Sequence, residues 1–280
     1  MKKLLIASTA LVVSAGFAAA DVAVTGGASM GVKFNDGDMQ MHNEIDFNIV
    51  GSGTTDGGLT FGASLDVDGE DNDNTETHTV SDAEVYISGA FGTLTVGGVS
   101  NGGDIGGISD LGFDDIGVDD AGESGRNQGS FNTHYTNTFG DITVTASIST
   151  DPADSGDYGL GVAFTAGDIS VAVGTSHDDS SGDTGSHITV GGTFGDVAAK
   201  AVYSQGPSTT GMGVQLGYTM GATALTFVWS DNNAAGQEAS YGVGFAYDLG
   251  GGASLKGAAG SIHDGTARNT IADLGVTMSF

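Results

Sequence analysis

Apolar side chains recur at every second position along most of the chain after residue 20. Clear runs cover residues 59–67, 142–148, 212–220 and 241–249, and the positions between the apolar ones are small, hydroxylated or charged. A period of two is that of a β-strand with one apolar face. A soluble β-sandwich gives the same period, so the pattern by itself predicts an all-β fold and leaves its kind open.

The connections between these runs are of two kinds that alternate along the chain. Very short turns fall near Asp56, Gly92, Gly140, Gly167, Gly195, Gly221 and Gly250. Longer polar connections cover 35–40, 68–79, 100–130, 150–157, 177–186, 206–211, 231–239 and 263–269. Seven short turns divide the chain into eight hairpins, hence sixteen strands. Tight turns at one end and long loops at the other are typical of outer-membrane barrels, so we predict a 16-stranded antiparallel transmembrane β-barrel formed by residues 21–280.

Both ends of the chain fit an exported barrel. Lys2 and Lys3 precede an apolar stretch, and residues 18–20 are three alanines, so we predict a cleaved signal peptide over 1–20 in a Gram-negative bacterium. A membrane anchor is the alternative, but the apolar stretch is shorter than the roughly 20 residues of a spanning helix. The last run alternates up to a terminal Phe280. Such an end resembles the signal that the outer-membrane barrel assembly machinery reads, although an ordinary edge strand also fits.

Composition narrows the function classes. The chain has 35 acidic and 7 basic residues, and its net charge of -28 becomes -30 once Lys2 and Lys3 are removed. A charge of this sign excludes nucleic acid as a partner. The absence of cysteine excludes disulfides, thiolate metal sites and cysteine nucleophiles. Glycine, at 50 residues, disfavours long helices but suits an inner barrel wall that lines water and needs no packed core.

The connection 100–130 is far longer than a hairpin requires. It carries spaced apolar residues, which a solvated loop does not need, so we predict that it folds into the barrel and constricts the lumen. A flexible surface loop is the alternative. The acidic residues assigned to the constriction are Asp104, Asp110, Asp114, Asp115, Asp119, Asp120 and Glu123.

Few cations are available to face these carboxylates. By strand parity, Lys33, Lys200 and Lys256 point into the lumen, and with Arg126 they form the predicted basic wall. An acidic loop opposite a sparse basic wall sets up a transverse field, and the excess of acid predicts a weak preference for cations. The inward row of His42, Glu44 and Asp46 is interpreted as polar wall rather than as a metal site.

Two further acidic segments are candidate calcium-binding loops, although no cofactor is expected to be required. Their residues are Asp68, Glu70, Asp71 and Asp73 in one loop and Asp178, Asp179 and Asp183 in another. Hard divalent cations bind such oxygen clusters, and calcium would bridge the loops to each other or to lipopolysaccharide. A solvated acidic rim is the alternative, and the sequence favours it slightly.

The order of these features resembles that of the Gram-negative general porins, and most nearly the porins of Rhodobacter-type alphaproteobacteria. The resemblance is carried by the signal peptide, the Gly-Ala-Phe-Gly-Thr-Leu-Thr-Val-Gly-Gly run at 89–98, the long third loop, Arg126 before a strand with Tyr135, and Phe280. It implies a homotrimer in outer-membrane lipid and lipopolysaccharide, whose third loop narrows a water-filled channel for passive diffusion of ions and small hydrophilic solutes. The Pro-Glu-Phe-Gly-Gly-Asp loop motif of enteric porins is absent.

Three alternatives differ from a general porin in testable ways. A secreted calcium-binding β-roll would repeat Gly-Gly-x-Gly-x-Asp nonapeptides, which residues 102–107 approach only once. A barrel enzyme would need a catalytic motif, and neither a Gly-x-Ser-x-Gly elbow nor a His-Glu-x-x-His pair is present, so no enzyme activity is expected. A substrate-specific porin that binds through polar contacts stays open.

Overall fold

The computed structural model describes residues 21–72, 75–263 and 265–280. Over these residues the chain forms sixteen antiparallel strands in one closed barrel, with a short 3-10 helix at Asp120–Glu123. The strands are β1 Asp21–Asn35, β2 Asp38–Thr54, β3 Thr60–Asn72, β4 Thr75–Gly89, β5 Gly92–Gly97, β6 Thr133–Phe139, β7 Ile142–Ile148, β8 Tyr158–Ala166, β9 Ile169–Asp178, β10 Asp183–Phe194, β11 Val197–Gln205, β12 Thr210–Met220, β13 Thr223–Asp231, β14 Ser240–Gly250, β15 Ala253–His263 and β16 Arg268–Ser279. The predicted fold and strand number are confirmed.

Each strand pairs with its neighbours in sequence, and the two end strands pair with each other. β1 and β16 are in register from the pair Gly27 and Ser279 to the pair Asn35 and Ile271. Beyond that ladder, the Gly26 N–H donates to the Phe280 carbonyl at 2.9 Å, and the Phe280 N–H donates to the Gly26 carbonyl at 3.0 Å. Closure gives both end strands a partner, as hydrocarbon surroundings require.

The outer face of the barrel is an apolar belt. On β14 the exposed large apolar side chains are Tyr241, Val243, Phe245, Tyr247 and Leu249. At the short turns between strands, the exposed aromatic side chains are Phe91, Phe139 and Phe194. An apolar band edged by aromatic side chains is the surface that a barrel presents to lipid and its interfaces. No helix in the described ranges has the length and hydropathy needed to cross a membrane.

Several predicted loops are shorter than expected, because strand pairing continues through polar sequence. Residues 68–72 belong to β3, where Asp68 pairs with Thr79 of β4, so the prediction of a loop at Asp68, Glu70 and Asp71 is wrong. Asp178 and Asp183 pair across the end of the β9–β10 hairpin, which leaves only 179–182 as loop. Outside the hydrocarbon layer a strand needs no apolar face. A change to polar sequence therefore does not show where the strand ends. Asp73 and the predicted signal peptide lie outside the described residues.

Candidate functional site

The segment 98–132, between β5 and β6, lies inside the barrel along the inner wall. Four serines on alternate strands, at most 1% exposed, hold its backbone. The contacts are Gly102 N–H to Ser147 Oγ of β7 (2.8 Å), Gln128 N–H to Ser176 Oγ of β9 (2.8 Å), Ser204 Oγ of β11 to the Gly122 carbonyl (3.0 Å), and Ser230 Oγ of β13 to the Val118 carbonyl. Small hydroxyl side chains therefore replace the water that the loop backbone would otherwise need.

Glycines on the intervening strands leave room for the same loop. A Cβ at Gly161 of β8 would overlap the Gly102 carbonyl, and one at Gly185 of β10 would overlap the backbone of Arg126. A Cβ at Gly213 of β12 would overlap the Ile108 side chain, and one at Gly242 of β14 would overlap the Leu111 side chain. Many glycines of the inner wall thus allow the loop to approach closely. This role is more specific than the one expected from composition, which was to keep the lumen open.

Apolar side chains anchor the loop, as predicted. Ile108, Leu111, Ile116 and Val118 are buried in a cluster with wall residues. The wall members are Val202 of β11, Val228 of β13 and Ala258 of β15. Because Lys200 has the same strand parity as Val202, the inner wall is mixed in character, with apolar positions where the loop packs and polar ones elsewhere.

At its tip the loop meets both end strands of the sheet. The Lys33 ammonium of β1 forms an ion pair with the Asp114 carboxylate, and His42 Nε2 of β2 lies 3.4 Å from the other Asp114 oxygen. The Phe113 and Asp114 N–H groups donate to Asp273 Oδ2 of β16 at 2.8 and 3.2 Å. The prediction that Lys33 faces the lumen agrees with this contact.

Arg126 lies in the loop and not on a wall strand, which corrects its assignment to the basic wall. Its guanidinium pairs with Asp104 at 2.8 Å and also with Glu123. β6 begins only at Thr133, so Arg126 has loop carboxylates as its neighbours. Burial raises the pKa of Glu123, although the nearby guanidinium opposes the shift. Two predicted constriction acids thereby share one guanidinium within the loop itself.

The other loop acids divide into exposed and buried groups. Asp110, Asp115 and Asp120 are exposed. Asp119 is only 5% exposed. Burial, together with the neighbouring Asp110 carboxyl, raises the pKa of Asp119 to about 8. At neutral pH this pair therefore retains a proton, and the loop carries less charge than its sequence indicates.

A patch of carboxylates, which we call the acidic wall, covers the inner face of β2, β3 and β4. Its residues are Glu44, Asp46, Asp66, Asp68, Glu70 and Glu84. In the β2–β3 ladder Glu44 lies directly opposite Glu70, and Asp46 lies opposite Asp68. Like charges at such positions destabilise a sheet unless water or ions screen them. The stretch of sequence from 38 to 89 contains no lysine or arginine, and His42 Nδ1 of β2 lies 3.8 Å from Glu70 Oε1.

Only part of the acidic wall was predicted from sequence. Glu44 and Asp46 belong to the predicted inward row, whereas Asp68 and Glu70 were expected in a loop. Asp66 and Glu84 were missed, although both sit on inward parity in strands with apolar alternation. Their grouping depends on the cross-strand register, which pairs Asp66 with Asn48 and Glu84 with Ser64.

The remaining predicted wall cations lie among the strands that the loop covers. Lys200 is opposite Gln215 in the β11–β12 ladder, and Gln215 Oε1 accepts the Ser109 N–H at 2.8 Å. Lys256 is on β15, two residues before the buried Ala258. Lys33, which pairs with Asp114, is on β1. The three predicted wall lysines are thus distributed over β1, β11 and β15.

Two groups of potential ligands converge in the described part of the chain. One is His42, Glu44 and Asp114, and the other is Asp110, Asp115 and Asp119, each with ligand atoms within 4.8 Å of one another. Neither includes a residue of the two predicted calcium loops. The first group has the Lys33 ammonium on Asp114, and the second holds a carboxyl whose pKa of about 8 favours a proton at neutral pH.

A closed sixteen-stranded barrel with an apolar outer face and a charged lumen defines a transmembrane channel protein. A barrel of this strand number leaves an aqueous passage that its own side chains do not fill. Among the residues described, the acidic wall and the docked loop line that passage.

Comparison with known proteins identifies the family. The sequence model of the Gram-negative porins matches residues 7–267, so the chain belongs to the Gram-negative porin family. The porin of Rhodobacter capsulatus is 29% identical over 309 aligned residues, covering 93% of this chain and 100% of that one. The porin of Fuscovulum blasticum is 27% identical, covering 87% and 92% of the two chains. The structure of a triple mutant of Rhodopseudomonas blastica porin superposes with a TM-score of 0.82 at 22% identity, covering 92% and 100%.

These findings confirm the resemblance stated from sequence. The chain is a multi-pass β-barrel porin of the outer membrane and forms a channel. Membership of this family supports a channel rather than an enzyme.

Proposed function

We propose that this porin passes small hydrophilic solutes by passive diffusion and prefers cations, with the segment 98–132 as its constriction. The acidic wall is the observation that carries the preference. Six inward carboxylates on three adjacent strands are joined by the exposed loop acids Asp110, Asp115 and Asp120. Field lines from such a surface concentrate in a lumen with low-dielectric walls and raise the local concentration of cations.

The lumen cations offset this field only in part. Lys33 pairs with Asp114, and Arg126 pairs with Asp104 and Glu123. Lys200 and Lys256 lie on β11 and β15, away from the strands of the acidic wall. Carboxylates therefore outnumber lysines and arginines in the passage, which supports the expected preference for cations.

The expected size of the preference follows from Coulomb's law. A unit charge about 8 Å from an ion in water contributes about 0.5 kcal/mol, and about 0.2 kcal/mol after screening over one Debye length at physiological salt. Six such charges together favour a monovalent cation by roughly 1 kcal/mol and disfavour an anion by the same amount. A free-energy difference of about 2 kcal/mol corresponds to a permeability ratio of roughly 30.

Planar-bilayer recordings test the proposal. Wild-type protein is expected to give ohmic steps, and deletion of residues 109–117 is expected to raise the conductance per step because the constriction is lost. Equal conductance of the two proteins would remove the constriction role. A reversal potential that indicates anion preference would overturn the cation preference. Saturable block by one solute at low concentration would instead favour the substrate-specific alternative.

We further propose that the mature protein is a homotrimer. The similarity to known porins supports this. Chemical cross-linking of detergent-purified protein is expected to yield a ladder that ends at three copies. A ladder that ends at one or two copies would contradict the trimer.

Export and assembly complete the proposal. We propose cleavage after Ala20, which N-terminal sequencing of the purified protein tests by detecting Asp21 as the first residue. Phe280 is 57% exposed and packs edge-on against Phe47 with ring centroids 5.7 Å apart, which supports its role as the signal for the barrel assembly machinery. Deletion of Phe280 is expected to reduce the outer-membrane fraction, and an unchanged fraction would remove that role.

Calcium at the outer loops is proposed from composition alone. Asp178 and Asp179 are adjacent at the end of the β9–β10 hairpin, where calcium would join them to lipopolysaccharide phosphates. Titration of the detergent-solubilised protein with calcium, with and without lipopolysaccharide, tests this. If neither titration gives a heat of binding or a shift in melting temperature, these carboxylates form a solvated acidic rim and do not bind calcium.

A further inference from the structure

Asp273 occupies an unexpected position for a carboxylate. It lies in the middle of β16, faces the lumen and is 5% exposed. Its Oδ2 accepts the Phe113 N–H at 2.8 Å and the Asp114 N–H at 3.2 Å, and its Oδ1 accepts the Ala258 N–H of β15 at 2.8 Å. One side chain of the wall thus binds two successive N–H groups of the loop tip and one of the neighbouring strand.

The local sequence is adapted to this contact. Gly112 has a φ of 95°, and the Asp273 carboxylate lies where its Cβ would be, so only glycine fits there. Gly275, two residues after Asp273 on the same face, leaves room for the Phe113 ring, which would lie 2.7 Å from an added Cβ. A carboxylate that accepts several N–H bonds is held more firmly than a neutral acceptor, since charge-assisted hydrogen bonds are the stronger kind.

The contact also controls where the Asp114 side chain points. Lys33, which pairs with the Asp114 carboxylate, is the direct cross-strand partner of Asp273 in the β1–β16 ladder. Asp273 therefore fixes the backbone of the tip, and Lys33 holds the side chain of the same residue. Together they hold the tip of the loop on the wall, so that the loop is fixed at its tip as well as near its base.

We propose that Asp273 is a positioning residue for permeation, which keeps the loop tip on the wall and thereby sets one fixed cross-section of the passage. This inference rests on the proposed role of 98–132 as the constriction. Without Asp273, three N–H groups lose their acceptor in a poorly hydrated site, and the tip gains alternative positions. Ion flow would then sample several cross-sections instead of one.

Single-channel recordings of D273A and D273N test the inference, with D141A and D141N as matched controls in the exposed turn between β6 and β7. Both Asp273 variants are expected to lose the single sharp conductance level of the wild type and to show substates and higher open-channel noise. D273N, which keeps one oxygen acceptor, is expected to be less affected than D273A. Both control variants are expected to keep the wild-type level.

The outcomes separate this inference from the proposed function. If the 109–117 deletion raises conductance while D273A and D273N keep a sharp wild-type level, Asp273 does not position the tip. If the deletion leaves conductance unchanged, the constriction itself is refuted. A shift in gel migration between heated and unheated samples shows whether each variant forms a barrel. If D273A fails to fold, the recordings of D273N alone test the inference. S109C is introduced into the wild-type and D273N proteins, and both are labelled with a thiol reagent. The inference requires faster labelling in the D273N protein.

Discussion

Gly174 offers a direct test of how the loop docks on the wall. It lies on β9 between Gly161 of β8 and His187 of β10. A Cβ at this position would overlap the Gly103 carbonyl of the loop and lie 2.5 Å from His187 Cε1. The near neighbour in the loop is backbone, so it cannot give way by a change of rotamer. G174A is therefore expected to displace residues 101–105 from the wall.

The magnitude follows from the contacts at risk. Overpacking of this kind costs about 1–3 kcal/mol. Displacement also strains the hydrogen bond from Gly102 N–H to Ser147 Oγ (2.8 Å) and the one from His187 Nε2 to the Ile105 carbonyl (2.8 Å), each worth about 1 kcal/mol. The sum is about 3–5 kcal/mol. We expect a lower melting temperature and a raised, noisier conductance.

Gly217 of β12 provides the matched control. It also faces the lumen, but the nearest atom to an added Cβ, at 3.8 Å, is Ala198 Cβ. G217A is expected to leave conductance unchanged and to stabilise the barrel slightly, by up to about 1 kcal/mol, since alanine loses less backbone entropy than glycine. Circular dichroism melts of both variants measure the stability of the barrel, and bilayer recordings measure the conductance. Equal effects of G174A and G217A would refute close docking of the loop.

Three further predictions concern charge, protonation and the serine contacts. D46N/D68N, which removes one facing pair of the acidic wall, is expected to lower the cation-to-anion permeability ratio about fourfold in reversal-potential measurements, from about 0.2 kcal/mol per charge on each ion; no change would contradict the assigned role. Because the folded pKa of Asp119 is raised from 3.8 to about 8, the folded state binds the extra proton in that window and stability falls as pH rises through it. D119N is expected to lose less thermal stability than wild type between about pH 5 and pH 8, and parallel loss would refute the shift. S204A leaves the Gly122 carbonyl without its 3.0 Å donor and is expected to cost about 1–3 kcal/mol in denaturant unfolding, whereas a neutral result would mean that water replaces the hydroxyl.

The sequence allowed the fold to be predicted because the barrel repeats one simple rule. Each strand has an outer face that must match hydrocarbon, and the turns at one end are too short to be anything but hairpins. The rule fails where the strands leave the membrane. At Asp68 and Asp178 polar composition suggested loops, yet backbone pairing continues there because water tolerates any side chain.

The site was predicted less completely, since it depends on contacts between distant strands. The apolar anchors of the loop were visible as residues that a solvated segment does not need. The docking by Ser176 and its equivalents was not visible, because a wall serine and a turn serine look alike in sequence. The acidic wall emerges only when the register places Asp46 beside Asp68 and brings Asp66 and Glu84 onto the same inner face.

The reversal potential of wild-type channels in a potassium chloride gradient tests the central claim most directly. A lumen in which carboxylates outnumber cations predicts a reversal potential whose sign indicates potassium over chloride. The permeability ratio is expected to fall as the salt concentration rises, since screening shortens the reach of each carboxylate. The same measurement on a variant with all six carboxylates of the acidic wall replaced by amides is expected to approach no preference. Chloride preference in the wild type, or an unaltered potassium preference in the neutralised variant, would contradict the account.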